Sequence, residues 1–219
     1  MPTVYLVRHG QASFGAADYD VLSPAGELQS KIVGEELRRR GVRPDVVRSG
    51  TLRRQIDTAA AGLAAAGIDV ECGTDARWNE YDHLALARHK AALLSSEPLT
   101  PQGFQRMLDD ALVDWASGAL ADADESWEGF RSRVDGALDE LLGSLGKGGI
   151  GLVFTSGGVI SAICARLLDA PIAGYVAMNR VSINAGITRL AHGRSGTSLL
   201  SFNEHAHFVG DHRDLLTYR

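Results

Sequence analysis

Short runs of β-favouring residues recur along this chain, and most hand over directly to a segment with helical spacing. Val4-Tyr5-Leu6-Val7 stops at Arg8-His9-Gly10. Ser23 then offers an N-cap with Pro24 in the first helical position, and Leu28, Ile32, Glu35/Glu36 and Leu37 follow at helical spacing up to Gly41. Val46-Val47 precedes an Ala-rich helix from about Leu52 to Ala66, and Ile68-Asp69-Val70 reads as a third strand. Further on, Trp127 to Leu145 is a helix that Gly146-Lys147-Gly148-Gly149 breaks. Ile150 to Thr155 is a buried strand, Gly157 to Leu168 a helix, and Gly186 to Leu190 with Ser198 to Phe202 a closing hairpin. Strands alternating with helices confine the chain to an α/β fold. The expected architecture is a three-layer sandwich, a mostly parallel mixed sheet flanked by helices. Leu84 to Ala121 departs from the alternation and reads as two or three helices. It forms a small helical insertion, bounded at 84–126, near the sheet's C-terminal edge, where open α/β sheets bind ligands.

Composition narrows the class. At 45% apolar and 22% charged, residues 1–219 suit a single well-buried domain. The 22 Lys+Arg against 27 Asp+Glu leave a charge of −5, which disfavours nucleic acid as a partner. Ala59 to Ala66 is the best apolar run and is far shorter than the roughly 20 residues of a membrane span. The first residues lack the basic start of a signal peptide. Cys72 and Cys164 make neither a disulfide framework nor a metal knuckle. The expectation is a cytoplasmic protein with no membrane partner; its oligomeric state stays open, a homodimer included.

Three segments carry groups suited to an anion, each just after a predicted strand. In Arg8-His9-Gly10-Gln11, a guanidinium matches phosphate oxygens, a neutral imidazole can attack phosphorus, and Gly10 permits close backbone approach. In Ser49-Gly50-Thr51-Leu52-Arg53-Arg54-Gln55-Ile56-Asp57-Thr58-Ala59, cations in the first turns of the helix oppose its dipole, and a bound anion would account for them. Arg53 can equally be a solvated charge. In Phe154-Thr155-Ser156-Gly157-Gly158, a strand meets two glycines and a helix, the form of a backbone anion nest; the plainer reading makes Ser156 an N-cap.

In this order the segments resemble the histidine phosphatase superfamily, which includes the phosphoglycerate mutases. Arg8-His9-Gly10-Gln11 matches its Arg-His-Gly motif. Leu22-Ser23-Pro24-Ala25-Gly26 with Gln29 is similar to the helix start that follows, Arg54 falls at the second phosphate-binding arginine, and Glu80 in Arg77-Trp78-Asn79-Glu80 at the proton donor. Ser156-Gly157-Gly158-Val159-Ile160 matches the last motif, and Asn203-Glu204 with His207 resembles the closing stretch. The resemblance implies a phosphoglycerate mutase-like fold, His9 as phosphoryl acceptor and Glu80 as acid and base. It implies Arg8, Arg54, Ser156 and Gly157 on the phosphate, and Gln11, Ser23, Trp78 and His83 as candidates for meeting the substrate. That substrate would be a small phosphomonoester, with no metal and no cofactor. Ser156 stands where the family carries a second histidine. Serine supplies a shorter, uncharged donor, and losing one such donor typically costs ~10²–10³ in rate. His83, His205, His207 or a water could partly fill the gap. The alternatives are a mutase returning the phosphoryl group to another hydroxyl, and a phosphoryl-ligand-binding protein with little turnover.

Other patterns read more plainly. His205, His207 and His212 lack the second ligand cluster of a zinc site. Lys147 is not in a P-loop, and Ser156 lacks the glycine of a nucleophile elbow. Cys164 is a small apolar filler, Trp115 and Trp127 pack in the core, and Arg38-Arg39-Arg40 is a solvated helix face. Asp211 to Asp214 reads as a polar tail. Arg88, His89, Lys90 and Arg106 give the insertion its cations.

Overall fold

The computed structural model describes residues 1–13, 20–83, 85–86, 101–120 and 123–218, without the side chains of 101, 102, 104 and 105. Six strands form one sheet: β1 (Thr3–Arg8), β2 (Val46–Ser49), β3 (Cys72–Thr74), β4 (Ile150–Thr155), β5 (Ile187–Gly193) and β6 (Gly196–Glu204). The helices are α1 (Pro24–Arg39), α2 (Arg53–Ala66), α3 (Pro101–Ala116), α4 (Trp127–Ser144), α5 (Gly157–Leu167) and α6 (Ile172–Val181). The order across the sheet is β3-β2-β4-β1-β5-β6. β3, β2, β4 and β1 run parallel, and β5 and β6 close the far side antiparallel. The mostly parallel mixed sheet expected from the alternation is what the chain builds.

Alternation along the strands feeds two cores. Val4 and Leu6 of β1, with Val153 of β4, meet Leu112, Leu138, Ile163 and Tyr175 of α3 to α6. Val7, Leu152 and Phe154 point the other way, onto Val33, Leu37, Ala59 and Leu63 of α1 and α2. Both faces are therefore apolar, as a parallel sheet requires. Arg8 pairs with Thr155 and Ser49 with Phe154, so the ends of β1, β2 and β4 lie side by side at one edge. Among the described residues, no helix is long and apolar enough to cross a membrane.

Local chemistry fixes the helix ends. Ser23 accepts from the Gly26 N–H at 3.1 Å with Pro24 behind it, as the sequence predicts. Gly41 follows in the left-handed region at φ 67°. The third strand lies elsewhere than expected. Gly67 ends α2 at φ 66°, and the Ile68 N–H turns back to the Leu63 carbonyl at 3.0 Å. Ile68 is thus spent on the helix cap, its side chain packs with Val70 beneath the sheet, and pairing starts only at Cys72 against Val47. The sequence reading also passed over α6, although Ile172, Tyr175, Val176 and Asn179 fall at i, i+3, i+4 and i+7.

Arg38-Arg39-Arg40 is not uniformly solvated. Arg39 is, but Arg40 is largely buried between Glu36 and Glu204, and these arginines hold the Glu36 carboxyl down at about 2. Trp115 packs in the core with Trp127 against it, and buried Cys164 has its thiol raised to about 12 by desolvation. Of the insertion, α3 is described; Leu84, Arg88, His89 and Lys90 lie outside the described residues.

Candidate active site

His9 follows β1 immediately and is buried. Its Nδ1 lies 2.7 Å from the Gly10 carbonyl, which can only accept, so the hydrogen sits on Nδ1 and the lone pair on Nε2. Arg54 Nε donates to that Nε2 at 3.2 Å. Desolvation, then the charges of Arg54 and Arg8, holds the imidazole well below its ordinary value. The ring is neutral, in one tautomer, with its nucleophilic nitrogen facing a guanidinium.

Arg54 enters from the first turn of α2. Its Nη1 donates to Asp20 at 2.6 Å, and the same carboxylate accepts from the Arg53 N–H at 2.7 Å. The anion on the N-terminus of α2 is therefore a carboxylate of this chain, standing in for the cap that Leu52 lacks. Arg54 turns its Nε edge toward His9. Arg53 is exposed and reaches Asp57 at 3.5 Å, the solvated pair of the plainer reading.

Arg8 is buried, and its Nη1 donates to the carbonyls of Ser182 and Tyr218. Gly157 lies beside it: a Cβ at Gly157 would stand 3.3 Å from Arg8 Nε. Gly10 answers a packing need. A Cβ there would stand 2.4 Å from the Gly26 carbonyl, so this glycine lets α1 approach.

Glu80 follows a short helical turn, Ala76–Trp78, beyond β3. Its Oε2 accepts from the Gly158 N–H at 3.0 Å, so one amide of the expected nest holds a carboxyl group. Desolvation lifts the Glu80 carboxyl above the usual range, against the lowering pull of that bond and of Arg54 and Arg8. A Cβ at Gly158 would meet Glu80 Oε1 at 2.2 Å and the buried Tyr81 ring at 2.4 Å, so a larger residue there would displace the carboxyl or the ring.

Ser156 is fully buried at the start of α5, and its side chain does not cap that helix. Its Oγ accepts from Gln55 Nε2 at 2.8 Å. Gln11 and Ser23 bond to each other at 2.9 Å, Ser23 Oγ donating. Trp78 does not wall the pocket with its ring. The indole is buried in the core, and only its carbonyl reaches this network. His83 is half-buried and close enough for its charge to act on His9. His205 and His207 fill no gap at Ser156: they turn to the carbonyls of Asn203 and Ala185.

Asp20, Asn179 and Asn184, the last donating to the His9 carbonyl at 3.2 Å, were absent from the sequence reading, and Gln55 entered it only within the segment of Arg54, with no role. Gln55 had a signal, its place beside Arg54 on the same helical turn. Asn179 donates to the Tyr81 hydroxyl at 3.0 Å, from the helix that reading missed. Asp20 and Asn184 lie too far along the chain for spacing to connect them with the site.

A buried imidazole facing the Arg54 guanidinium, with a desolvated carboxyl on the Gly158 amide, stands at the carboxyl edge of the sheet of this α/β protein. The chain belongs to the histidine phosphatase superfamily (branch 1), whose family model matches residues 4–205. It is 40% identical to the 2,3-bisphosphoglycerate-dependent phosphoglycerate mutase of Thermobifida fusca over 31% of this chain and 30% of that protein. Against a phosphoglycerate mutase of Candida albicans it is 36% identical over 44% of this chain and 42% of the relative. The matches thus span less than half of these relatives. A mycobacterial glucosyl-3-phosphoglycerate phosphatase superposes with a TM-score of 0.67 at 25% identity, over 93% of this chain and 99% of that one. A mutant phosphoserine phosphatase from Entamoeba histolytica, in complex with phosphoserine, shares the fold at a TM-score of 0.68 and 20% identity, over 95% of this chain and 100% of that one.

Proposed function

We propose that this chain is a phosphomonoesterase that hydrolyses a small phosphorylated substrate through a phosphohistidine on His9. The observation that carries the reading is the state of His9: neutral, Nδ1 tied to Gly10, Nε2 facing Arg54 at 3.2 Å. In the first step Nε2 attacks phosphorus and the P–O ester bond breaks. The leaving oxygen takes the proton of Glu80, whose lifted carboxyl is suited to hold one. In the second step water attacks the phosphohistidine, Glu80 recovers a proton, and phosphate departs. Arg8, Arg54, the Ser156 hydroxyl and the amide near Gly157 offset charge on the phosphoryl oxygens, which is most of what such a transfer demands.

Hydrolysis is favoured over mutase chemistry by the crevice of about 430 Å³ beside Glu80. Among the described residues it presents Asp82, Asp124 and Glu125, and its cations are committed, Arg133 to Glu125 at 2.6 Å and Arg77 to Asp75 and Glu140 at 2.7 Å each. That lining opposes the carboxylate of a phosphoglycerate and suits an uncharged leaving alcohol. The test is a panel of phosphomonoesters with wild type and His9→Ala side by side. Turnover that disappears in His9→Ala is expected; equal turnover in both proteins, or none in wild type, overturns the reading.

A further inference from the structure

Among the described residues, the Ser156 hydroxyl has one hydrogen-bond partner, Gln55. Gln55 Nε2 bonds Ser156 Oγ at 2.8 Å and the Trp78 carbonyl at 3.1 Å, which uses both amide hydrogens. The carboxamide cannot be reversed, because its oxygen would then face the Trp78 carbonyl, an acceptor already taking a second bond from Thr155 Oγ1 at 2.7 Å. Gln55 can therefore only donate to Ser156. The hydroxyl hydrogen must point elsewhere, and a buried hydroxyl calls for an acceptor. Its own helix supplies no use for the oxygen, since the Gly158 N–H is already bonded to Glu80. Ser156 lies across the strand ends from the proposed nucleophile: Arg8 pairs with Thr155, and the His9 N–H bonds the Thr155 carbonyl at 2.8 Å.

We propose that Gln55 is a positioning residue of the phosphoryl site: by occupying a lone pair of Ser156 Oγ, it turns the Ser156 hydroxyl into a fixed donor toward a phosphoryl oxygen at His9. The inference rests on the reading of His9 as the phosphoryl acceptor. Successive residues of one helical turn thereby set two parts of the site, Arg54 on His9 and Gln55 on Ser156. The carboxamide touches no reacting atom and acts only through serine.

A double-mutant cycle on orthovanadate affinity and on kcat tests it, with Gln55→Met, Ser156→Ala and the double variant, each checked for an unchanged circular dichroism spectrum. Gln55→Leu replaces Gln55→Met if the latter does not fold. Each single change should weaken vanadate binding about tenfold or more and lower kcat more than it raises KM, the size of one lost hydrogen bond to a charged group. In the Ser156→Ala background, the Gln55 change should add less than about twofold. Losses of equal size in both backgrounds overturn the proposal, because Gln55 would then only support the Trp78 segment. A wild type that binds no vanadate overturns it too. A cycle that closes as expected in a protein that never phosphorylates His9 upholds Gln55 as a positioning residue and removes the phosphatase reading alone.

Discussion

Burial acts on His9 and Glu80 with opposite sign. For the imidazole it penalises the cation and lowers the pKa; for the carboxyl it penalises the anion and raises it. The chemistry needs His9 unprotonated and Glu80 protonated, so kcat/KM should rise through a midpoint below the ordinary imidazole range. It should fall again through one above the ordinary carboxylate range. Glu80→Gln should abolish the alkaline limb and lower kcat/KM for esters with poor leaving groups by about 10²–10⁴, while sparing kcat/KM for p-nitrophenyl phosphate, whose leaving group needs no proton. An equal loss on both substrates would assign Glu80 a structural role. His9 and Arg54 could be picked out from sequence because each follows closely on a strand end, and Glu80 because Arg77-Trp78-Asn79-Glu80 resembles a family motif. The bond from Gln55 to Ser156 could not, since it joins residues 101 positions apart through a fold the residue types do not display.

Helix α2 shows how an element can be legible while its support is not. Its Ala-rich body and Gly67 stop are plain in the sequence, and the two arginines in its first turn signal an anion. The nearest anion proves to be Asp20, bonded to the Arg53 amide and to the Arg54 guanidinium. The third strand was misplaced for a related reason. Ile68 and Val70 have strand chemistry, but the helix cap claims Ile68 first, and local propensity does not register that competition. Asp20→Ala removes a cap and a partly exposed ion pair together. It should destabilise the fold by about 1–2 kcal/mol in urea unfolding, most of it from the cap. No change in the unfolding midpoint would mean that solvent serves the N-terminus of α2 equally well.

At the scale of the whole molecule, the sheet order does what no single motif can. Placing β4 between β1 and β2 brings His9, Gly50 and Ser156 to neighbouring strand ends, although they lie in separate parts of the chain. The C-terminal segment completes the arrangement. Exposed Asp211 to Asp214 do look like a polar tail, but Leu215 and Thr217 then accept from Gln29 at 2.6 and 2.7 Å, and the Tyr218 carbonyl accepts from Arg8. These closures span most of the chain, which is why composition and spacing were silent on them. The alternation of strands and helices was enough to predict the layers. On the proposed reading, this site carries the phosphoryl group on His9 during turnover. Rapid mixing with a phosphomonoester, a denaturing quench at alkaline pH where phosphohistidine survives, and peptide mass mapping tests it most directly. One phosphoryl group on the peptide containing His9, absent from His9→Ala, is the expected result; hydrolysis proceeding with that peptide unmodified at every time point would contradict it.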